Sequence, residues 1–208
     1  MRSDAELLEG WRQGDEEAGR ALFERHVGVV SRFFRNKVGD EREDLIQRTF
    51  LACVERRDRL RDGASFRAYL LRVARSRLYD HFMVARGGPK RPDPLSTSVV
   101  DAGLSPSRVL AKNEQDQLLL LALRRLPLDL QVILELHYWE GITTAELGEV
   151  LEIPQGTVKT RLYRARQLLR EDLGRLAASG ELPATSLHDL DAWAHGLRDA
   201  VASDSGAR

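Results

Sequence analysis

The sequence predicts an all-α protein: two small helical domains joined by an extended linker, with one further amphipathic helix at the C-terminal end. Three observations carry this. Through the first 83 residues apolar side chains recur at three- and four-residue spacing, with no proline and no alternating strand pattern. Residues 85–107 then break the pattern with Pro89, Pro92, Pro94 and Pro106 and with Gly87, Gly88 and Gly103. Helical spacing resumes beyond them, and charge becomes sorted by element. The expected organisation is a first domain over 1–84, a linker over 85–107, a second domain over 108–176 and an extension over 177–208.

The elements follow in order. Leu7, Leu8 and Trp11 make a first stripe, punctuated by Gly14 and Asp15. Ala18, Leu22, Phe23, His26, Val30, Phe33 and Phe34 make a second. A third helix, from about Glu43 to Arg57, is expected to bury Leu45, Ile46, Thr49, Phe50, Cys53 and Val54. A fourth, starting near Ser65, buries Phe66, Leu70, Val73, Ala74 and Leu78. Residues 85–107 bury too little apolar surface to offset the cost of ordering them, so they read as extended and unpacked. Helices are expected again over about 106–125 and 128–140. Near the end, Ser186 and Asp189 fit a capping box ahead of a stripe of Leu187, Leu190, Trp193, Ala194, Leu197 and Val201.

Between these lies the most informative stretch. Thr143 or Thr144 caps a helix carrying Ala145, Leu147, Val150 and Leu151; Pro154 and Gly156 interrupt it; Thr157 opens a second helix whose buried stripe is Val158, Leu162, Ala165, Leu168 and Leu169. From Gly156 to Arg170 there are five basic residues (Lys159, Arg161, Arg164, Arg166, Arg170) and no acidic one, whereas the preceding helix holds Glu146, Glu149 and Glu152. A helix, a tight turn and a basic second helix suit the DNA major groove.

Composition bounds the function. Net charge is zero, from 32 basic and 32 acidic residues, so a nucleic-acid footprint has to come from segregated charge. From Glu55 to Arg91 there are eleven basic residues and four acidic ones, a net of +7, with Phe66 and Tyr69 interleaved. Cations with aromatic platforms are how single strands are held. Phe66 reads as core before platform, and Tyr69 suits either role. The single Cys53 excludes an internal disulfide and a Cys-rich zinc site, and His26, His81, His137, His188 and His195 are scattered outside any catalytic or metal motif. No enzyme activity, cofactor or metal is expected. The absence of an 18-residue apolar run and of an apolar N-terminal stretch leads to the expectation of a cytoplasmic protein.

Four segments resemble the extracytoplasmic-function (ECF) sigma factors, small sigma subunits of bacterial RNA polymerase. EREDLIQRTFLACVE at 41–55 is similar to region 2.2, SFRAYLLRVARSRLYDHF at 65–82 to the region that opens and reads the −10 element, LRRLPLDLQVILELHYWEG at 123–141 to region 4.1, and TTAELGEVLEIPQGTVKTRLYRARQLL at 143–169 to region 4.2. Two departures stand out: Tyr69 where the family usually has tryptophan, and Gly148 where it has alanine.

The resemblance implies partners and roles. Core RNA polymerase, through its β and β′ subunits, would bind Glu43, Asp44, Leu45, Gln47 and Phe50. The −10 DNA would meet Arg61, Phe66, Arg67, Tyr69, Arg72, Arg75 and Arg77, with base capture in the loop at about Leu60–Ser65. At the −35 element Lys159, Thr160, Tyr163 and Arg164 would lie near base edges, and Thr157, Arg161 and Arg166 near phosphates. The linker would thread the polymerase toward its catalytic cleft and RNA exit path. An anti-sigma factor is a further partner the resemblance admits. The competing reading is a stand-alone helix-turn-helix regulator that binds duplex DNA without polymerase; the first half of the chain lacks the alternating βα pattern of a receiver domain.

Overall fold

The computed structural model describes residues 2–57, 65–85, 95, 97–100 and 114–178. Eight helices account for nearly all of them: α1 (Asp4–Arg12), α2 (Glu16–Arg35), α3 (Arg42–Glu55), α4 (Phe66–Ala85), α5 (Glu114–Arg125), α6 (Leu128–Tyr138), α7 (Thr144–Leu151) and α8 (Gln155–Ala178). The proposed start of α5 at 106, the loop at Leu60–Ser65 up to Ala64 and the C-terminal helix at 186–201 lie outside the described residues.

Helix starts follow local chemistry. Ser3 and Glu6 form a capping box ahead of α1, the Asp15 carboxylate accepts from the Ala18 N–H at 3.0 Å to open α2, and Ser65 Oγ accepts from the Ala68 N–H at 3.2 Å at the head of α4. The expected stripes of α1 and α2 are buried except Phe23, which is half-buried and packs edge-on to Trp11 at 5.0 Å between ring centroids. On α3, Val54 is exposed, contrary to the expected stripe, and Ala52 is buried in its place. Three residues separate Ala52 from Thr49, so Ala52 lies on the inward face that Leu45, Thr49 and Cys53 share, and Val54 falls off it.

The linker reading needs a correction. Thr97, Ser98 and Val99 are buried, Val99 completely, and Ser98 makes an isolated antiparallel bridge to Pro127. The Leu128 N–H donates to Thr97 O at 2.8 Å and the Val100 N–H to Arg124 O. This short piece is extended, as its composition implies, but it packs: its backbone groups find partners on the α5–α6 corner, where α6 leaves its first N–H groups unpaired.

The two helical halves pack on each other. Buried apolar residues from α1 to α4, from Val99 and from α5 to α8 belong to one continuous cluster. Polar pairs seal the junction: Arg32 to Glu140, Lys37 to Glu135, Arg75 to Asp129 and Arg72 to Glu152.

Candidate nucleic-acid interface

The helix-turn-helix is built locally. Thr143 Oγ1 accepts from the Glu146 N–H at 3.2 Å while the Glu146 carboxylate accepts from the Thr143 N–H at 3.0 Å, a closed capping box at the start of α7. Ala145 is exposed, outside the stripe assigned to it, and Ile142 is buried just before the cap. The turn is made by Glu152, at φ 57° and ψ 43°, and not by Gly156, which lies in the first turn of α8. Gly148 has a definite purpose: a Cβ there would come within 2.9 Å of Ile153 O, the turn that doubles back over α7, and the Ile153 N–H donates to Gly148 O at 3.0 Å.

Helix α8 buries Val158, Leu162, Ala165 and Leu169, with Leu168 half-buried, as its spacing predicts. The opposite face presents Lys159, Thr160, Tyr163, Arg164, Gln167 and Arg170 to solvent, with Tyr163 61% exposed. Thr160 Oγ1 donates to Gly156 O at 3.1 Å and Gln167 Nε2 to the Tyr163 hydroxyl at 2.9 Å, so both side chains are oriented before any ligand arrives. The four residues assigned to base edges thus share one open face. Thr157 is half-buried at its margin. The two arginines assigned to phosphates are engaged within the protein: Arg161 donates to Asp129 at 3.1 Å, and Arg166 donates to the Tyr138 hydroxyl at 2.7 Å while lying over that ring.

The residues assigned to the −10 strand are also largely engaged. Phe66 is core, tilted against His26 and stacked at 6.4 Å on Phe23. Tyr69 is half-buried, packs on the core and carries Arg72 over its ring at 5.2 Å; burial pushes its hydroxyl pKa up. Arg67 donates to the Glu140 backbone oxygen. Arg72 reaches Glu152 at 3.7 Å and Arg77 reaches Asp80 at 3.6 Å. Arg75 donates to Asp129 through Nε at 3.0 Å and NH2 at 2.8 Å. Burial would lower the Arg75 pKa, but Tyr79 and Asp129 beside it raise it overall; Tyr79, buried and hydrogen-bonded to the same carboxylate, has its own pKa pushed up. Arg61 lies outside the described residues.

On α3, Glu43, Asp44 and Gln47 are exposed on one face, with Asp44 paired to Arg48 at 2.9 Å. Leu45 is buried and Phe50 packs against Phe23 at 4.9 Å, so both point inward and act by holding the helix. The exposed apolar neighbours on this helix are Leu51 and Val54, which sequence patterning placed elsewhere. Cys53 is buried, and burial pushes its thiol pKa up to about 12. Among the described residues no group of three or more His, Cys, Asp or Glu is placed to hold a metal ion, and no helix is long and apolar enough to cross a membrane.

Residues that sequence reasoning passed over are Asp129, Glu135 and Glu140, all on or beside α6 and all buried. A signal was present: acidic residues within the otherwise apolar LPLDLQVILELHYWE cannot all face water on a helix hydrophobic all round.

Comparison with known proteins agrees with the geometry. The sigma-70 region 2 family matches residues 22–86 and the sigma-70 region 4 family matches residues 116–169. The chain is 27% identical over 188 residues to the RNA polymerase sigma-H factor of Pseudomonas aeruginosa, covering 83% of this chain and 95% of that protein. It is 25% identical to the ECF RNA polymerase sigma-E factor of Escherichia coli K12, covering 80% and 92%. In fold it is similar to CnrH in complex with the cytosolic domain of CnrY (TM-score 0.60, 21% identity, 83% of this chain and 97% of that one). It is also similar to the sigma factor RpoE in complex with the anti-sigma factor NepR from Bartonella quintana (TM-score 0.55, 20% identity, 74% and 96%). A core-facing acidic helix, a cationic helix with an aromatic face and a helix-turn-helix with an open basic face therefore stand in the order of one family, and the chain belongs to the sigma-70 family as a sigma factor of the ECF class.

Proposed function

We propose that this protein is an alternative sigma factor: it binds core RNA polymerase through the exposed face of α3, reads the −35 element with α8 and assists opening at the −10 element with α4. Bond formation belongs to the polymerase, and the site of action is the cytoplasm. The observation that carries the reading is the open face of α8, where Lys159, Thr160, Tyr163 and Arg164 stand together on the second helix of a helix-turn-helix. Arg164 and Lys159 suit guanine O6 and N7, and Tyr163 and Thr160 suit methyl or phosphate contacts beside them. Asp44 and Gln47, one turn apart and exposed, suit a polar partner helix. An anti-sigma partner belongs to the same reading, since a neighbour in fold is held by one.

The test is reconstitution with core polymerase. Asp44→Ala with Gln47→Ala should weaken co-elution with core, and the wild-type complex should open promoter DNA near −10. Arg164→Ala holoenzyme should lose about 1–3 kcal/mol on its preferred −35 sequence and discriminate less there. Equal loss on every sequence would reduce Arg164 to a phosphate contact. Failure to bind core, together with tight duplex binding by the protein alone, would turn the reading into a stand-alone regulator.

A further inference from the structure

We propose that the free protein holds itself closed, with carboxylates of its second half occupying the cations of α4 that would otherwise hold unpaired promoter strand. The inference rests on the strand-holding role proposed above for those cations. Three carboxylates make the latch. Asp129, in the first turn of α6, accepts from Arg75 and Tyr79 of α4 and, at 3.1 Å, from Arg161 of α8. Glu140, just past the end of α6, accepts from Arg32 of α2 through Nε at 2.6 Å and NH2 at 2.8 Å, and lies 3.6 Å from Arg67. Glu152, in the turn between α7 and α8, reaches Arg72. Arg67, Arg72 and Arg75, three of the residues assigned to the −10 strand, thus each face an acid or carbonyl from the other half.

These pairs differ from ordinary surface ion pairs in burial. Asp129 and Glu140 have side chains 3% and 6% exposed, and the neighbouring Lys37 to Glu135 pair is 0% and 3% exposed. Glu135 also accepts from Asn36 Nδ2 at 2.9 Å and Gln131 Nε2 at 2.8 Å, so the acid is fully engaged. Charge-assisted, water-excluded bonds of this kind hold a defined geometry. A DNA backbone offers the same chemistry to the same arginines, anionic oxygen, so strand and latch compete for one set of donors. The open face of α8 is untouched by the latch. The closed form therefore shuts the single-strand track while leaving the duplex-reading residues exposed, and a partner that binds the open arrangement better shifts the equilibrium toward it. Core polymerase is that partner.

The test uses the full chain. Binding to a fluorescein-labelled single strand of randomised sequence, about 20 nucleotides long, is read by anisotropy at fixed salt. Asp129→Asn with Glu140→Gln should bind at least about tenfold tighter than wild type. Glu24→Gln with Glu149→Gln removes the same charge from exposed positions outside the latch and should match wild type. No tightening in a latch variant of unchanged helicity, or equal tightening in the control, overturns the proposal. A second measurement leaves the latch intact: spin labels at Arg20→Cys and Arg170→Cys, both exposed, while native Cys53 is buried. One narrow distance in the free protein that lengthens on adding core polymerase supports the closed state; a broad distribution before core is added overturns it. Normal promoter opening by an Arg67→Ala, Arg72→Ala holoenzyme overturns the strand-holding reading by itself, separately from the latch.

Discussion

Gly148 and Gly19 show how single atoms set this structure. A Cβ at Gly19 would meet the Trp11 ring at 2.4 Å, and a Cβ at Gly148 would meet Ile153 O at 2.9 Å. The second neighbour is backbone in a tight turn and cannot swing aside. Gly148→Ala should gain helix propensity of up to about 1 kcal/mol and lose more than that to the clash, a net destabilisation of about 1–2 kcal/mol. Urea denaturation of the two proteins measures it, and a stabilised Ala variant would show that the turn relaxes freely. The sequence marked Gly148 as a site of close approach. That the approaching group is the turn's own carbonyl follows only from Glu152 adopting a left-handed conformation, which its residue type does not announce.

Among the elements, α7 is the one most dependent on its ends. It has eight residues, too few to persist without tertiary support, and its first turn is held by the reciprocal Thr143–Glu146 bonds. Thr143→Ala should cost about 0.5–2 kcal/mol of stability and weaken −35 binding by the holoenzyme, because α7 positions α8. Thr143→Ser should restore both, and a Thr143→Ala protein with unchanged melting would show the cap to be redundant. Helix existence was legible throughout, since each stripe follows the helical period. The packed piece Thr97–Val100 was not: four prolines and three glycines describe a chain that avoids helix, but nothing in composition says that Val99 finds a pocket at the α5–α6 corner.

At the scale of the molecule, the junction between halves combines apolar contact with buried charge. Lys37 lies under Phe33, 4.6 Å from its ring centroid, and donates to both Phe33 O and Glu135. Removing one partner leaves an uncompensated buried charge, so Lys37→Met should destabilise the protein by about 3–5 kcal/mol in urea unfolding. Lys37→Met with Glu135→Leu should recover part of that loss. The recovery is incomplete because Asn36 and Gln131 then lose their acceptor. A double variant no better than the single one would show that the pair itself carries little of the effect.

The sequence by itself determined the helical class, the helix-turn-helix and the open basic face of α8, because all three depend on contacts a few residues apart, where periodicity, caps and charge sorting are direct physical signals. It also determined the family, through motifs that local spacing preserves. The tertiary structure alone decided which cations stay available. Arg67, Arg72, Arg75 and Arg161 read as DNA contacts in a linear count of charge, yet each is bonded to a group 32 to 80 residues away in the chain. Pairing across such separations depends on how two helical halves dock, and a buried acid on α6 reveals its partner only when the arginine on α4 is brought against it.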